Sequence, residues 1–143
     1  MGTGGRDAGD WDVIHINCGI HDLTLMDTDH RAAVDGTPQV PLAVYRANLE
    51  RIFERLSRTR ARLVWATSTP VGDEVAIRRN EDIDAYNRAA AEVMVRHRVT
   101  VNDLHTLVRA HGAPLWADGV HFIDEGAGHL ADAVAAAIRT ELG

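Results

Sequence analysis

Residues 11–23 read Trp11-Asp12-Val13-Ile14-His15-Ile16-Asn17-Cys18-Gly19-Ile20-His21-Asp22-Leu23. The run from Asp12 to Asn17 is β-branched, too short for a helix, and bounded by Trp11 and Gly19, so it predicts a short buried strand. Gly19 directly after it lets the backbone turn sharply and lets its N–H face a ligand. Residues 22–41 then predict a polar connection, with Asp27, Asp29, Asp35-Gly36 and two prolines marking turns. A connection of about twenty residues is unusual in a compact domain and is often functional.

Working outward from that strand, the apolar period changes from run to stripe. Leu42, Tyr45, Leu49, Ile52, Phe53 and Leu56 fall on one face of a helix. Arg51, Arg55, Arg58, Arg60 and Arg62 gather toward its end, where cations suit the helix dipole, so they read as a solvated face. Leu63-Val64-Trp65-Ala66-Thr67 predicts a second strand ended by Pro70 and Gly72. Residues 80–97 predict a second helix with Ile83, Tyr86, Ala90 and Met94 on one side. Val99-Thr100-Val101 predicts a third strand, and Asn102 or Asp103 caps a short helix running to about Ala110. From Asp124 to Leu142 an amphipathic helix turns Leu130, Val134, Ile138 and Leu142 inward, with Asp124 and Glu125 at its positive end.

Strand and helix thus alternate as β–α–β–α–β–α–α, the pattern of an α/β fold with a parallel sheet, right-handed crossovers and helices on both faces. Ligands bind such sheets at the carboxyl ends of the strands. That places the interest in residues 17–23, residues 68–72 and the segment before the last helix.

Composition narrows the partners. Apolar residues make up 45% and charged residues 25% of 143, the balance of one globular domain, expected over residues 11–143. A formal net charge of −6 argues against nucleic acid as a partner. All 15 basic residues are Arg, to which no function attaches. Cys18 is the only cysteine, so no intrachain disulfide forms. No apolar run approaches the roughly 20 residues of a membrane span, and no membrane partner is expected. Residues 1–10 hold 4 glycines and predict a flexible tail without a signal-peptide pattern, which leaves localisation open.

The chemistry-bearing segment is Asp118-Gly119-Val120-His121-Phe122. An Asp three residues before a His on one tight loop folds back to accept from imidazole Nδ1–H, fixing the tautomer and leaving Nε2 as a general base. The spacing alone carries little, since Asp27-Thr28-Asp29-His30 repeats it in a loop with nothing else to recommend it. Context separates the two. The Gly19 turn follows a buried strand, a side-chain donor two residues on joins its N–H as an oxyanion hole, and Ala66-Thr67-Ser68-Thr69-Pro70-Val71 ends the next strand at the same sheet edge.

Three segments in this order resemble the later blocks of the SGNH/GDSL hydrolase superfamily: WDVIHINCGIHDL the third block, ATSTPVG the strand end after it, and DGVHFIDEGAGHLADAV the fifth block and its helix. The resemblance implies a flavodoxin-like three-layer α/β/α fold, here in an incomplete version of about three strands, and serine-dependent hydrolysis of esters, commonly acyl groups of sugars and lipids. By position, Asp118 and His121 match the triad acid and base, and Gly19 the glycine after the strand. His21 stands where the family pattern has an oxyanion-hole asparagine. A neutral imidazole donates a single N–H with a different reach, so a structural hydrogen bond to the long loop is the alternative.

The first block, a strand followed by Gly-Asp-Ser, and the second, which supplies a glycine donor, have no counterpart here, so no nucleophile is identified. The only serines are Ser57, between arginines on the first helix, and Ser68, in a strand-end turn without a glycine-bounded elbow. Cys18 reads as a buried small apolar residue and His15 as a satisfied core histidine. His15, His21, Asp22 and His30 lack a recognised ligand spacing, so no metal and no cofactor are expected. The resemblance also implies that the absent first strand is the centre of a five-strand sheet. Without it the strand at residues 12–17 exposes an edge, which predicts marginal stability or self-association through that strand.

The leading function is therefore an O-acyl or acetyl esterase acting on carbohydrates or similar polar esters, the isolated chain being weak or inactive. The alternatives are a truncated reading of a longer esterase, a carbohydrate- or acyl-binding pseudoenzyme using Trp65 or Trp116 as an aromatic platform, and water-activated hydrolysis by Asp118 and His121 alone.

Overall fold

The computed structural model describes residues 10–111 and 115–143. The glycine-rich stretch expected as a tail lies outside the described residues except for Asp10. The elements run β1 (Val13–Ile16), β2 (Leu25–Met26), β3 (Thr37–Pro38), α1 (Leu42–Leu56), β4 (Arg62–Ala66), α2 (Asn80–His97), β5 (Thr100–Asn102), α3 (Leu104–Ala110) and α4 (Asp124–Leu142). The main sheet is parallel throughout, ordered β1-β4-β5, with Ile14 opposite Leu63 and Trp65 opposite Val101. This is the three-strand α/β arrangement that the alternation of strand and helix predicts.

Local chemistry explains the boundaries. Pro41 has φ −56° and its carbonyl receives the Tyr45 N–H at 2.9 Å, so α1 starts where a proline's missing donor costs nothing. Arg98 closes α2 in the left-handed region at φ 56°. Of the two expected caps for α3, Asp103 does the work, accepting the Thr106 N–H at 3.0 Å.

The core lies between β4 and the α1–α2 pair. Trp65 sits edge-on to Phe53 with ring centroids 6.0 Å apart, and Leu49, Ile83, Ala90, Val93 and Met94 close around them, each wholly or almost wholly buried. α4 packs across β1, β4 and β5 and against α3. Its inner residues Leu130, Val134 and Ile138 are only half-buried, as is every residue of β1. Leu142, expected inward, is 57% exposed at the helix end, and Leu42 is 40% exposed in the first turn of α1.

The connection over residues 22–41 is more ordered than its polarity suggests. β2 and β3 pair antiparallel within it, Leu25 against Pro38 and Met26 against Thr37, and Leu23 and Leu25 are fully buried. Leu23, Leu25 and Met26 are too short an apolar stretch to show a period, but the leucines are anchored from outside: Leu25 N–H donates to the Ile77 carbonyl at 2.9 Å and Leu23 N–H to the Gly19 carbonyl at 3.2 Å.

Candidate active site

Three loops meet at the carboxyl edge of the sheet, and a cleft of about 630 Å³ opens between them. Asn17, Ile20 and His21 come from the turn after β1, Thr69 and residues 74–78 from the segment after β4, and Asp118, Val120 and His121 from the loop before α4.

The Asp118 loop is built by its own backbone. Residues 115–123 fold back on themselves, with Trp116 bridged to Phe122, Ile123 N–H donating to Leu115 O at 2.9 Å and Ala117 N–H to His121 O at 2.6 Å. At the tip, Asp118 Oδ1 accepts the N–H of Val120 at 3.0 Å and of His121 at 2.7 Å. Asp118 Oδ2 lies 2.7 Å from His121 Nδ1. The backbone N–H of His121, then its ring, then the N–H of Val120 hold the Asp118 carboxyl well below the usual carboxylate range. It is therefore ionised wherever a histidine titrates, and it fixes the ring with Nε2 pointing away. The pair is open to solvent, His121 side chain 81% and Asp118 56% exposed.

Gly119 is required at the tip. Its φ is +82°, and a Cβ there would stand 2.5 Å from Val75 Cγ2 and 2.8 Å from Glu74 Oε1. Its carbonyl receives the Gly72 N–H at 2.8 Å, which ties the loop to the strand-end turn of β4. That turn is in its turn locked from α2: Asn87 exchanges two hydrogen bonds with the backbone of Ser68, at 2.9 and 2.8 Å, and Asn80 two with Val71, at 3.0 and 2.9 Å.

Behind the other wall, Gly19 is buried with φ +146°, and a Cβ would meet Ser68 Oγ at 2.8 Å. Tyr45 Oη donates to the Cys18 carbonyl at 3.0 Å and fixes the turn from below. His21 lines the cleft, its ring exposed. Among the described residues it makes no side-chain hydrogen bond to the long connection. Arg78 holds the whole turn to the opposite wall, Nε donating to Ile20 O at 2.9 Å and Nη2 to Thr24 Oγ1 at 3.0 Å.

Gly19, His21, Asp118 and His121 thus come together at one edge, while the side chains of Asp27 and His30 do not pair, the His30 N–H donating only to the Asp27 carbonyl at 3.1 Å. Asp27 Oδ1 instead accepts the N–H of Asp29 at 2.8 Å and of Arg31 at 2.9 Å, with His30 at φ 59°. Ser57 lies at the end of α1, its hydroxyl donating to Glu54 O at 2.9 Å. Ser68 is 4% exposed and does not line the cleft. Burial, and next Asp22, push the Cys18 thiol up, away from the thiolate a nucleophile needs. His15 is half-buried beside Asn102, 3.2 Å from its amide, and burial lowers its pKa. Trp65 is 0% exposed and offers no platform, whereas Trp116 packs at a tilt against Phe122 with centroids 6.2 Å apart. Residues 74–78, with Glu74 and Arg78, were not singled out by the sequence. The one signal for them was their place between a strand end and a helix start.

A parallel α/β sheet with an Asp–His pair and a glycine turn at its carboxyl edge has the layout of a GDSL/SGNH-type hydrolase. The sequence profile of the GDSL-like Lipase/Acylhydrolase family matches residues 3–128, and the chain belongs to that family. The fold is similar to that of a lipase/acylhydrolase from Enterococcus faecalis (TM-score 0.73, 21% identity, 90% of this chain and 62% of that one). It is also similar to a catalytic mutant of Axe2, an acetylxylan esterase from Geobacillus stearothermophilus (0.68, 19%, 92% and 59%), and to the acetyl xylan esterase AlAXEase (0.69, 19%, 89% and 67%). The chain spans about three-fifths of the length of the first two. No curated protein sequence matches it. No helix among the described residues is long and apolar enough to cross a membrane.

Proposed function

We propose that this chain carries the acid–base half of an ester-hydrolysing site, acting on O-acyl and especially acetyl groups of carbohydrates or similar polar esters. The observation that carries it is the 2.7 Å contact between His121 Nδ1 and Asp118 Oδ2 at the mouth of the cleft. In this reaction a serine hydroxyl attacks the ester carbon and His121 Nε2 takes its proton. Asp118 orients the ring and stabilises the imidazolium, and the Gly19 N–H with the His21 ring receives the oxyanion. His121 then returns the proton to the leaving alcohol, and water hydrolyses the acyl-enzyme. The acetylxylan-directed neighbours support the substrate class.

Ser57, Ser68 and Cys18 are each unsuited to the attack, so the nucleophile of this reading is a Gly-Asp-Ser serine outside the 143 residues. The chain alone is expected to be nearly inactive. The test measures p-nitrophenyl acetate hydrolysis by the chain as given and by a form extended with any in-frame upstream sequence encoding a strand and Gly-Asp-Ser. In the extended form His121→Ala abolishes turnover, and Asp118→Asn lowers it by up to about 10⁴-fold, the scale of the same change in a serine-protease triad. Turnover unaffected by His121→Ala refutes the assignment, and an immediate in-frame stop upstream of Met1 removes the external serine.

A second reading follows from the openness of the Asp118–His121 pair and the lack of a placed nucleophile: a protein that binds acylated carbohydrate without cleaving it, with Trp116 beside the loop. Saturable binding of an acetylated oligosaccharide with no acetate released distinguishes it.

A further inference from the structure

Away from the cleft, a single group among the described residues gathers three atoms of metal-ligand type: His111 at the end of α3, with Glu125 and His129 in the first turns of α4, all within 4.8 Å of one another. Glu125 and His129 are four apart on one helix and so project from the same face. α3 packs His111 against them, its ring centroid 4.3 Å from that of His129. Glu125 Oε1 stands 3.9 Å from His111 Nε2 and 4.0 Å from His129 Nε2. These separations are too long for hydrogen bonds. They are about 0.6 Å longer than the roughly 3.3 Å between two ligands on a tetrahedral ion with bonds of about 2.0–2.1 Å. The Nε2 atom of His129 is also buried without a hydrogen-bond partner, a cost that a ligand would remove.

We propose that His111, Glu125 and His129 form a binding site for a zinc-class divalent cation, held through His111 Nε2, Glu125 Oε1 and His129 Nε2 with water completing the tetrahedron. Two imidazoles and one carboxylate are the donor set that such a borderline ion takes, and the modest closure needed comes from side-chain rotation. The ligands bracket the stretch that carries Asp118 and His121, so the ion pins the end of α3 to the start of α4 at the base of that loop. It acts as a staple and takes no part in the ester chemistry, and it stands whether or not the chain hydrolyses esters.

The test strips the full chain of metal with chelator, checks its fold by circular dichroism, and titrates Zn²⁺ against a chromogenic competitor. One equivalent is expected to bind. His111→Gln and His129→Gln should each weaken binding at least about tenfold, since losing even an outer-shell partner of a metal site costs that much. His30→Gln, in an exposed turn, leaves binding unchanged. Zn²⁺ raises the melting temperature of the native chain and not of the folded double variant. Folded wild-type chain that binds no stoichiometric zinc, or a double variant that binds it undiminished, overturns the site.

Discussion

α2 and α4 are nearly equal in length, 18 and 19 residues, and both are amphipathic, yet they are buried to very different degrees. α2 buries Ile83, Tyr86, Ala89, Ala90, Val93 and Met94, whereas Gly126 is the single buried residue of α4. α2 lies beside α1 over the middle strand, so its apolar face is enclosed from two directions. α4 crosses all three strands but meets β1 at an edge, where nothing among the described residues pairs with the strand's outer side. The difference teaches that an apolar stripe specifies a face to be covered and leaves the degree of cover to the neighbours.

The largest test of this contrast is Ile83→Ala against Leu130→Ala in chemical denaturation. The first is expected to cost about 2–5 kcal/mol, the usual range for truncating a fully buried aliphatic side chain. The second should cost about 1 kcal/mol, because the Leu130 side chain is only partly removed from water. Equal costs would break the comparison and mean that the apolar face of α4 is covered in solution as fully as that of α2. Pairing at the β1 edge leaves the α4 face as it is, and light scattering tests it separately: we propose that the chain self-associates there, since an unpaired strand edge attracts another chain.

Next in size is Gly19→Ala, expected to cost about 1–3 kcal/mol from the positive φ, with the approach to Ser68 Oγ adding to it. The readout is the unfolding midpoint. A neutral result would mean that the β1 side, Gly19 turn included, is loose enough to rearrange.

The smallest effect sharpens the contrast by pH. Burial lowers the pKa of His15 on β1, so the folded chain binds its proton more weakly than the unfolded chain. Stability from this group is complete above the ordinary imidazole value of about 6.5 and falls as pH drops below it. The melting temperature should therefore decline on acidification, and less steeply for His15→Gln. An NMR titration that puts His15 further down as protein concentration rises would show β1 becoming covered.

Much of the fold was legible because its elements repeat a period. The stripes of α1 and α2 and the β-branched run of β1 each state a secondary structure within a few residues. β2 and β3 were not legible, since two residues cannot show alternation, and Leu23 is buried by joining a core built from residues distant in the chain, such as Tyr45, Trp65 and Tyr86. In the site, Asp118 and His121 were readable together because an aspartate-capped turn needs only local backbone. Glu74 and Arg78 were not, because their place in the cleft depends on Gly72 meeting Gly119 across the sheet edge.

By itself, then, the sequence determined the order of the helices and of the main-sheet strands, the parallel sheet and the aspartate-capped histidine, all products of local period and short-range hydrogen bonding. The sequence preferred Asp118–His121 to Asp27–His30 on context, and only the tertiary structure shows why two pairs of equal spacing behave differently. The first aspartate turns its second oxygen to the imidazole, on a loop held against Gly72 at the cleft. The second spends its oxygen on backbone amides of an exposed turn. The three-residue spacing allows the ring contact, and the surrounding packing determines whether it forms.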